Sequence, residues 1–305
     1  MNSIVLLLAA LILASCSNGH KLTGGNKKPE EEPKELIETP PKEKEEPKVE
    51  EEFVEPPVKS EFCIDGDTID YSEEGPYGFK KGETIGGHPT YIPSSFGTDC
   101  KHPVISFAPG IGMHPSNYSY LHEHLASWGF IVVIDPNFLI NSLGTGLISG
   151  IKEVYDSEYS QYAAKRAGVT GHSMGGGASL NASPNEIVDA VVAIQPGVSW
   201  TTTKKATLYL GGTRDMFGSF TDPENRFENA SGPKFFGNYS GAGHIVDTTN
   251  AGNAMNSKAT IAYKGSTTAW FRCYLSDDSH ACDFFKSEDI CSNWDWADCV
   301  GNSLR

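Results

Sequence analysis

The chain has 305 residues, of which 24 are Lys or Arg and 39 are Asp or Glu, so its formal net charge is −15. Proteins that bind nucleic acids draw most of their affinity from clustered positive charge, and this balance excludes nucleic acid as a partner. The sequence contains no apolar run of the length that a transmembrane helix needs.

The amino-terminal residues resemble a bacterial lipoprotein signal. The apolar run at residues 4–13 has the length of a signal-peptide core, and it leads into Leu13-Ala14-Ser15-Cys16. We therefore expect residues 1–15 to be removed, the chain to be exported, and a lipid on Cys16 to anchor it to a membrane of the bacterial cell envelope. The alternative is an ordinary secretory signal and a secreted protein, because Met1, Asn2 and Ser3 include no Lys or Arg.

The next segment has the composition of a disordered tether. Residues 27–61 include 7 Lys, 13 Glu and 7 Pro and few large apolar side chains, so they cannot bury enough surface to offset chain entropy. Prolines and like charges favour an extended chain. We predict a tether over residues 16–60, for which partner binding is a second interpretation, and a single folded domain over residues 61–305.

Six cysteines remain when Cys16 is set aside, and an even number in an exported protein indicates disulfides. The sequence leaves the 15 possible pairings open, and zinc binding is the weaker interpretation because the histidine spacing does not fit. The six are Cys63, Cys100, Cys273, Cys282, Cys291 and Cys299.

From residue 63 onward, short apolar runs alternate with helical stretches. β-branched and aromatic runs bounded by Pro, Gly or Asp are typical of buried parallel strands. The order of strand, helix and strand predicts an α/β fold with a mostly parallel sheet and helices on both faces. The predicted strands are 104–108, 130–134, 190–194 and 206–210, and the predicted helices are 116–128 and 257–275.

The sequence Gly171-His172-Ser173-Met174-Gly175 fits the G-x-S-x-G pattern, which holds a nucleophilic serine on a tight turn between a strand and a helix. An acid and a histidine follow in the order Ser173, Asp215, His244, which is the order of α/β-hydrolases. The main-chain amides of Ile111 and Met174 are candidates for an oxyanion hole. Asp222 is the alternative acid and His280 the alternative base.

Together these residues resemble the cutinase-like polyester hydrolases of the α/β-hydrolase superfamily, the group that includes PET-degrading esterases. The resemblance covers residues 77–299 and includes the serine motif with Gly176 and Gly177, the stretch 125–133, and Ala108-Pro109-Gly110. It implies an α/β-hydrolase fold, a triad of Ser173, Asp215 and His244, an oxyanion hole of the Ile111 and Met174 amides, and a shallow cleft. Cys282 and Cys299 resemble the family's carboxy-terminal disulfide.

Three features bear on the substrate. Family members that act on aromatic polyesters usually carry Tyr or Phe at the position of Ile111, and Ile cannot stack on a ring. Trp200 is either a cleft-wall residue or part of the core, and His172 either forms the cleft floor or packs under the sheet edge. The acidic, Cys-rich tail at residues 277–298 is interpreted as solvated loops rather than a calcium site.

The sequence therefore predicts a monomeric serine carboxylesterase that acts on an ester substrate, including polyesters such as PET, through an acyl-enzyme and without a metal or organic cofactor. One alternative is an esterase for small lipid or carbohydrate acyl esters with the same triad. The other is a tethered binding lipoprotein with no turnover.

Overall fold

The computed structural model describes residues 62–63, 70–97, 100–137, 143–217, 223–244, 258–286, 291, 296–302 and 304. All of them fall within the compact unit Pro56–Arg305. The predicted signal at 1–15, Cys16 with its predicted lipid, and the predicted tether at 16–60 lie outside these residues. In the part that the structure describes, no helix is both long enough and apolar enough to cross a membrane.

The described residues contain a mixed sheet of nine strands in the order β1-β2-β4-β3-β5-β6-β7-β8-β9. The six central strands from β4 to β8 are parallel, whereas β1, β2 and β9 pair with their neighbours in the antiparallel sense. The strands are β1 Phe79–Lys81, β2 Thr90–Pro93, β3 His102–Ala108, β4 Ile131–Ile134, β5 Ala163–His172, β6 Ala190–Ile194, β7 Ala206–Gly212, β8 Lys234–Tyr239 and β9 Trp296–Asn302.

Helices cover both faces of this sheet, because alternate residues of the buried strands point to opposite sides. On one face Ile105 and Phe107 pack with the first and fifth helices, and on the other Val104 and Ala108 pack with the second and third. The helices are α1 Ser119–Ser127, α2 Thr145–Asp156, α3 Met174–Ala182, α4 Pro223–Asn229, α5 Lys258–Ser276 and α6 Ser279–Phe284, with 3-10 turns at Pro115–Tyr118 and Glu158–Gln161. The predicted α/β fold, an α/β-hydrolase sheet with helices on both faces, is confirmed.

Two predictions for the carboxy-terminal region were wrong. The segment around His280, predicted as a surface loop, forms α6, and the Asp278 carboxylate caps its first turn by accepting from the amide of Ala281. The described end of the tail is also not a loop: it forms β9, which pairs with β8 and buries Trp296.

The three disulfides correct the pairing of Cys282 with Cys299. The structure joins Cys63 to Cys100, Cys273 to Cys282, and Cys291 to Cys299. Cys282 pairs locally because α6 turns back onto the end of α5, which brings the Cα atoms of Cys273 and Cys282 to 4.8 Å. The ligand atoms of Cys63, Cys100 and His102 also lie close together, but the two sulfur atoms of that group are bonded to each other in a disulfide.

The first described residues lie at the amino end of β3. Phe62 forms a parallel bridge with Lys101, and Cys63 is bonded to Cys100 just before that strand. The buried Arg272 donates to the Cys63 carbonyl oxygen at 2.8 Å and pairs with Asp278 at 3.1 Å. The chain is therefore fixed at the edge of the sheet where the parallel strands begin.

Candidate active site at the carboxyl ends of the strands

Ser173 occupies a strained turn between β5 and α3. Its φ of 56° and ψ of −119° lie in a region that residues with a side chain rarely adopt. The turn depends on close backbone contact: a Cβ added to Gly175 would lie 2.0 Å from the Ala108 carbonyl oxygen, and one added to Gly171 would lie 2.5 Å from the same atom. A side chain at either glycine of the motif would clash with this backbone, so both positions require glycine. The same close packing holds Ser173 away from ordinary strand geometry.

The structure brings Ser173, His244 and Asp215 together from three different loops. His244 Nε2 lies 2.8 Å from Ser173 Oγ, and His244 Nδ1 lies 2.9 Å from Asp215 Oδ2. Asp215 follows β7 and His244 follows β8, so all three side chains meet at the edge where parallel strands end. This is the spacing and order that an activated serine nucleophile needs.

The carboxylate of Asp215 is held at both of its oxygens. Oδ1 accepts from the main-chain N–H of Phe217 at 2.8 Å, while Oδ2 faces His244. Its side chain is almost fully buried.

Of the alternatives left open by the sequence, Asp222 lies outside the described residues, and His280 is exposed on α6.

The segment that carries Ile111 packs directly against the serine. A Cβ added to Gly110 would lie 3.4 Å from Ser173 Cβ, and the turn continues with the Met113 amide donating to the Gly110 carbonyl at 3.0 Å. Met174 begins α3, where the first amides of a helix have no acceptor within the helix. The amides of Ile111 and Met174 thus belong to two segments that meet at Ser173.

His172 is only 1% exposed, so the structure favours packing under the sheet over a place on the cleft floor. Its Nε2 donates to the His244 carbonyl oxygen at 2.6 Å, which leaves Nδ1 to accept from the Tyr118 hydroxyl at 2.9 Å. The same hydroxyl accepts from the Gly110 amide at 3.1 Å. One chain of hydrogen bonds therefore connects the oxyanion segment, the residue before the serine and the predicted base.

Burial sets the charge states of His172 and Tyr118, the two side chains in this series of hydrogen bonds. Desolvation, with a smaller contribution from the neighbouring His244, lowers the pKa of His172 to about 3, so its imidazole is neutral at ordinary pH. Burial also raises the pKa of Tyr118 well above its usual value. A neutral imidazole and a protonated phenol are the forms that this hydrogen-bond order requires. Sequence reasoning missed Tyr118, which shows no signal beyond its place in a predicted helix.

Large apolar side chains are exposed on loops at the edge of the sheet where Ser173 lies. Five of them lie on loops that follow β3, β6 and β7 at the same edge of the sheet as Ser173, namely Ile111, Val198, Trp200, Met216 and Phe217. Trp200 is 57% exposed, so it is not part of the core, and its amide donates to the Asn181 side chain near the end of α3. Met216 and Phe217 were not identified as site residues from the sequence. The signal that could have found them is two large apolar residues directly after a predicted acid on a loop.

Comparison with known proteins gives a family match over most of the folded part. Residues 79–295 match the family model described as PET hydrolase-like. The chain is 27% identical over 215 residues to lipase 1 of Moraxella sp. (strain TA144), with 64% of each chain covered. It is 27% identical over 216 residues to cutinase est2 of Thermobifida alba, with 66% of this chain and 68% of the relative covered.

A third relative is bis(hydroxyethyl) terephthalate hydrolase of Streptomyces coelicolor (strain ATCC BAA-471 / A3(2) / M145). It is 27% identical over 208 residues, with 64% of each chain covered. The chain therefore spans less than two thirds of the length of this hydrolase and of the lipase.

Proposed function

The chain belongs to the PET hydrolase-like family, and on that premise we propose that it is a serine carboxylic ester hydrolase of the cutinase type. The observation that carries this proposal is the contact of one imidazole with two partners: His244 lies 2.8 Å from Ser173 Oγ and 2.9 Å from Asp215 Oδ2. The names of the relatives, a lipase, a cutinase and a terephthalate ester hydrolase, support the same reaction class.

The reaction proceeds through an acyl-enzyme. Ser173 Oγ attacks the ester carbonyl carbon while His244 Nε2 takes the hydroxyl proton, and the carbonyl oxygen becomes an oxyanion. The C–O bond to the alcohol then breaks, and His244 returns the proton to the leaving alcohol. Water attacks the acyl-enzyme by the same path and releases the acid and free Ser173.

The surrounding groups stabilise the charges that form. Asp215 faces Nδ1, so it fixes the tautomer of His244 and stabilises the imidazolium. The amides of Ile111 and Met174 donate to the oxyanion, and the loss of one such donor costs roughly 3–4 kcal/mol in the transition state. The hydrogen bond from His172 to the His244 carbonyl oxygen holds the main chain of the base in place.

We infer that the substrate extends beyond the scissile bond. The apolar residues exposed on the loops around Ser173 form a rim that a long or polymeric ester contacts more fully than a short one. Trp200 is the cleft-wall residue in this proposal.

An esterase for small lipid or carbohydrate acyl esters has the same triad and is the second candidate, favoured by Ile111 in the place of an aromatic residue.

Two measurements on the protein test the proposal. The S173A variant is expected to lose hydrolysis of p-nitrophenyl butyrate and labelling by a fluorophosphonate probe while its circular dichroism spectrum stays unchanged. Retained turnover would contradict the assignment, and failure of the wild-type protein to label would favour a tethered binding protein.

Acid release from aliphatic and aromatic polyester films, compared with soluble esters of increasing acyl length, separates the polyesterase from the small-ester enzyme.

We also propose that the protein acts outside the cytoplasm as a monomer anchored through Cys16. Three disulfides indicate an oxidising compartment. Expressed in a bacterial host, the wild-type chain is expected to fractionate with membranes, and C16A is expected to lose the membrane fraction. Equal fractionation of the two proteins would overturn the anchor.

A further inference from the structure

Gln195 has a strained backbone conformation directly after β6. Its φ is 42°, and among the residues that the structure describes only Ser173 and Asp277 share a positive φ without being glycine. This region is unfavourable for a residue with a side chain, and such strain persists where the surrounding contacts enforce it. The side chain is also completely buried, at 0% exposure, although Gln is mostly exposed in proteins. A long polar side chain at this position therefore calls for a specific contact.

That contact is with the loop that carries the predicted base. Gln195 Nε2 donates to the carbonyl oxygen of Gly243, the residue before His244, at 2.8 Å. Among the described residues Oε1 has no hydrogen-bond partner, and an unpaired buried acceptor costs stability. The amide is thus retained at a cost, and the bond from Nε2 to the base loop is what it provides.

The main chain of His244 is held on both sides of its Cα atom. Gln195 donates to the Gly243 carbonyl oxygen before that atom, and His172 donates to the His244 carbonyl oxygen after it. The two donors come from neighbouring strands, because β5 and β6 pair in parallel with His172 opposite Ile194. The Gln195 side chain also lies beside the His172 imidazole. The position of the base is therefore set by two buried side chains at the ends of adjacent strands.

The segment that contains Gln195 is also bonded to the turn of the nucleophile. The Ser173 amide donates to the Ile194 carbonyl oxygen at 3.0 Å, and the Gly197 amide donates to the Ser173 carbonyl oxygen. One short segment thus contacts the main chain of Ser173 on both sides, while its buried side chain contacts the base loop. The separation of 2.8 Å between Ser173 Oγ and His244 Nε2 depends on both sets of contacts.

We propose that Gln195 is a positioning residue that sets the distance between Ser173 Oγ and His244 Nε2. This inference rests on the proposed ester hydrolase function. The proton of the serine hydroxyl must pass to His244 within hydrogen-bond reach, and a displacement of about 1 Å can cost roughly 100-fold in rate. Gln195 acts through His244 and is too deeply buried to touch the substrate.

The test removes the donor in two different ways. Q195M replaces the amide by an apolar side chain of the same length, and Q195N keeps an amide but shortens the side chain by one methylene. Both are expected to lower kcat for p-nitrophenyl butyrate roughly 10- to 100-fold per active site, with KM nearly unchanged. The end point of fluorophosphonate labelling counts the active sites. The rate constant of labelling depends on the same serine and base, so it is expected to fall with kcat.

Q161M is the matched control. Gln161 Nε2 also donates to a main-chain carbonyl oxygen, that of Glu158 at 3.1 Å, but it lies before the amino end of β5, whereas Ser173 follows its carboxyl end. Q161M loses the same kind of bond outside the site and is expected to keep the wild-type kcat and labelling rate. Urea unfolding reports the stability of every variant, so that a loss of folded protein is separated from a loss of rate per site.

Several outcomes would overturn the inference. If Q195M is less stable but each labelled site turns over and labels at the wild-type rate, Gln195 only supports the fold. A rise in KM with kcat unchanged assigns Gln195 to substrate binding, and a fall of kcat in Q195M but not in Q195N means that polarity matters rather than the bond to Gly243. A wild-type protein that hydrolyses no ester and takes up no fluorophosphonate is the distinct result that removes the proposed function itself.

Discussion

The Tyr118 hydroxyl and the His172 imidazole, 2.9 Å apart, join two segments of the candidate active site: Tyr118 lies in the 3-10 turn that follows β3, and His172 is the last residue of β5. The Tyr118 hydroxyl accepts a hydrogen bond from the Gly110 amide, and His172 Nε2–H donates a hydrogen bond to the His244 carbonyl oxygen. Each group in this chain has the partner that its protonation state demands. These three hydrogen bonds link Gly110, beside Ser173, to the main chain of His244.

Removing the Tyr118 hydroxyl is expected to impair both stability and turnover. Y118F leaves the buried Gly110 amide and His172 Nδ1 without their partner, and the free energy of unfolding is expected to fall by about 1–3 kcal/mol. We also expect kcat per titrated active site to fall roughly 10-fold, because Gly110 packs against Ser173 and small displacements there are costly. Urea unfolding and fluorophosphonate-normalised kinetics measure the two effects.

The control for Y118F is Y162F. The Tyr162 ring packs on Phe96 at the end of the second 3-10 turn. It tests the loss of a phenol hydroxyl outside the site. A positioning role requires that kcat per active site falls in Y118F and not in Y162F, with KM nearly unchanged. If Y118F only lowers stability and every titrated site turns over at the wild-type rate, Tyr118 is structural.

Acid is expected to destabilise the fold through its buried histidines. Burial lowers the pKa of His122, His124 and His172 to about 3, well below the unfolded value of 6.5. Below about pH 6.5 the unfolded chain binds protons that the folded chain does not. Each of these histidines therefore removes up to about 1.4 kcal/mol of stability per pH unit down to about pH 3.

His122 provides a direct measurement of this slope. It is fully buried against Tyr91, Phe107 and Tyr118, and among the described residues its Nε2 has no hydrogen-bond partner. H122F is expected to raise stability at pH 7 by about 1 kcal/mol, because the unpaired buried nitrogen is removed, and the gain is expected to grow as the pH falls. Urea unfolding at pH 7, 5.5 and 4.5 gives both quantities.

All other titrating groups are common to wild type and H122F, so their contributions cancel in the difference. A stability difference that is constant with pH would contradict the lowered pKa of His122. A large loss of stability at pH 7 would mean that the ring makes a polar contact that the structure does not contain.

The disulfide pairing predicts a specific peptide map. Trypsin cleaves after Arg272 and Lys286, so one peptide contains Cys273 and Cys282 and the next contains Cys291 and Cys299. With the observed pairing, each peptide carries an internal disulfide, and both are found separately without reduction. Mass spectrometry of the unreduced digest checks this. A joined species that separates on reduction would support a pairing of Cys282 with Cys299 instead.

The two candidate acids can be distinguished by a pair of amide substitutions. D215N is expected to lower kcat by roughly 1,000- to 10,000-fold, because an amide at that place favours the wrong tautomer of His244. D222N is expected to change kcat less than 2-fold. Steady-state rates on p-nitrophenyl butyrate decide between them, and the reverse pattern would assign the role to Asp222.

Sequence reasoning succeeded where one residue pattern dictates one local structure. The predicted strands at 104–108 and 190–194 are mostly apolar runs, and they form the last five residues of β3 and all of β6. The strand before Ser173 is not among the predicted ones, because β5, Ala163–His172, contains the charged residues Lys165 and Arg166 and no continuous apolar run. Prediction from apolar periodicity misses strands that carry charged residues within them.

Long-range contacts were beyond such patterns. Nothing local connects Tyr118 to His172 or Phe217 to His244, because each contact joins loops from different strands that only the folded sheet brings together. The pairing of Cys282 likewise depends on how α6 turns back onto α5. Candidate residues could be identified from the sequence, but their partners required the fold.

The place where the chain joins the sheet gives the enzyme an orientation. Phe62 and Cys63 are fixed at the amino end of β3, and Ser173 lies beyond the carboxyl end of the neighbouring β5. The opening around Ser173 is therefore at the opposite end of the parallel strands from Phe62 and Cys63.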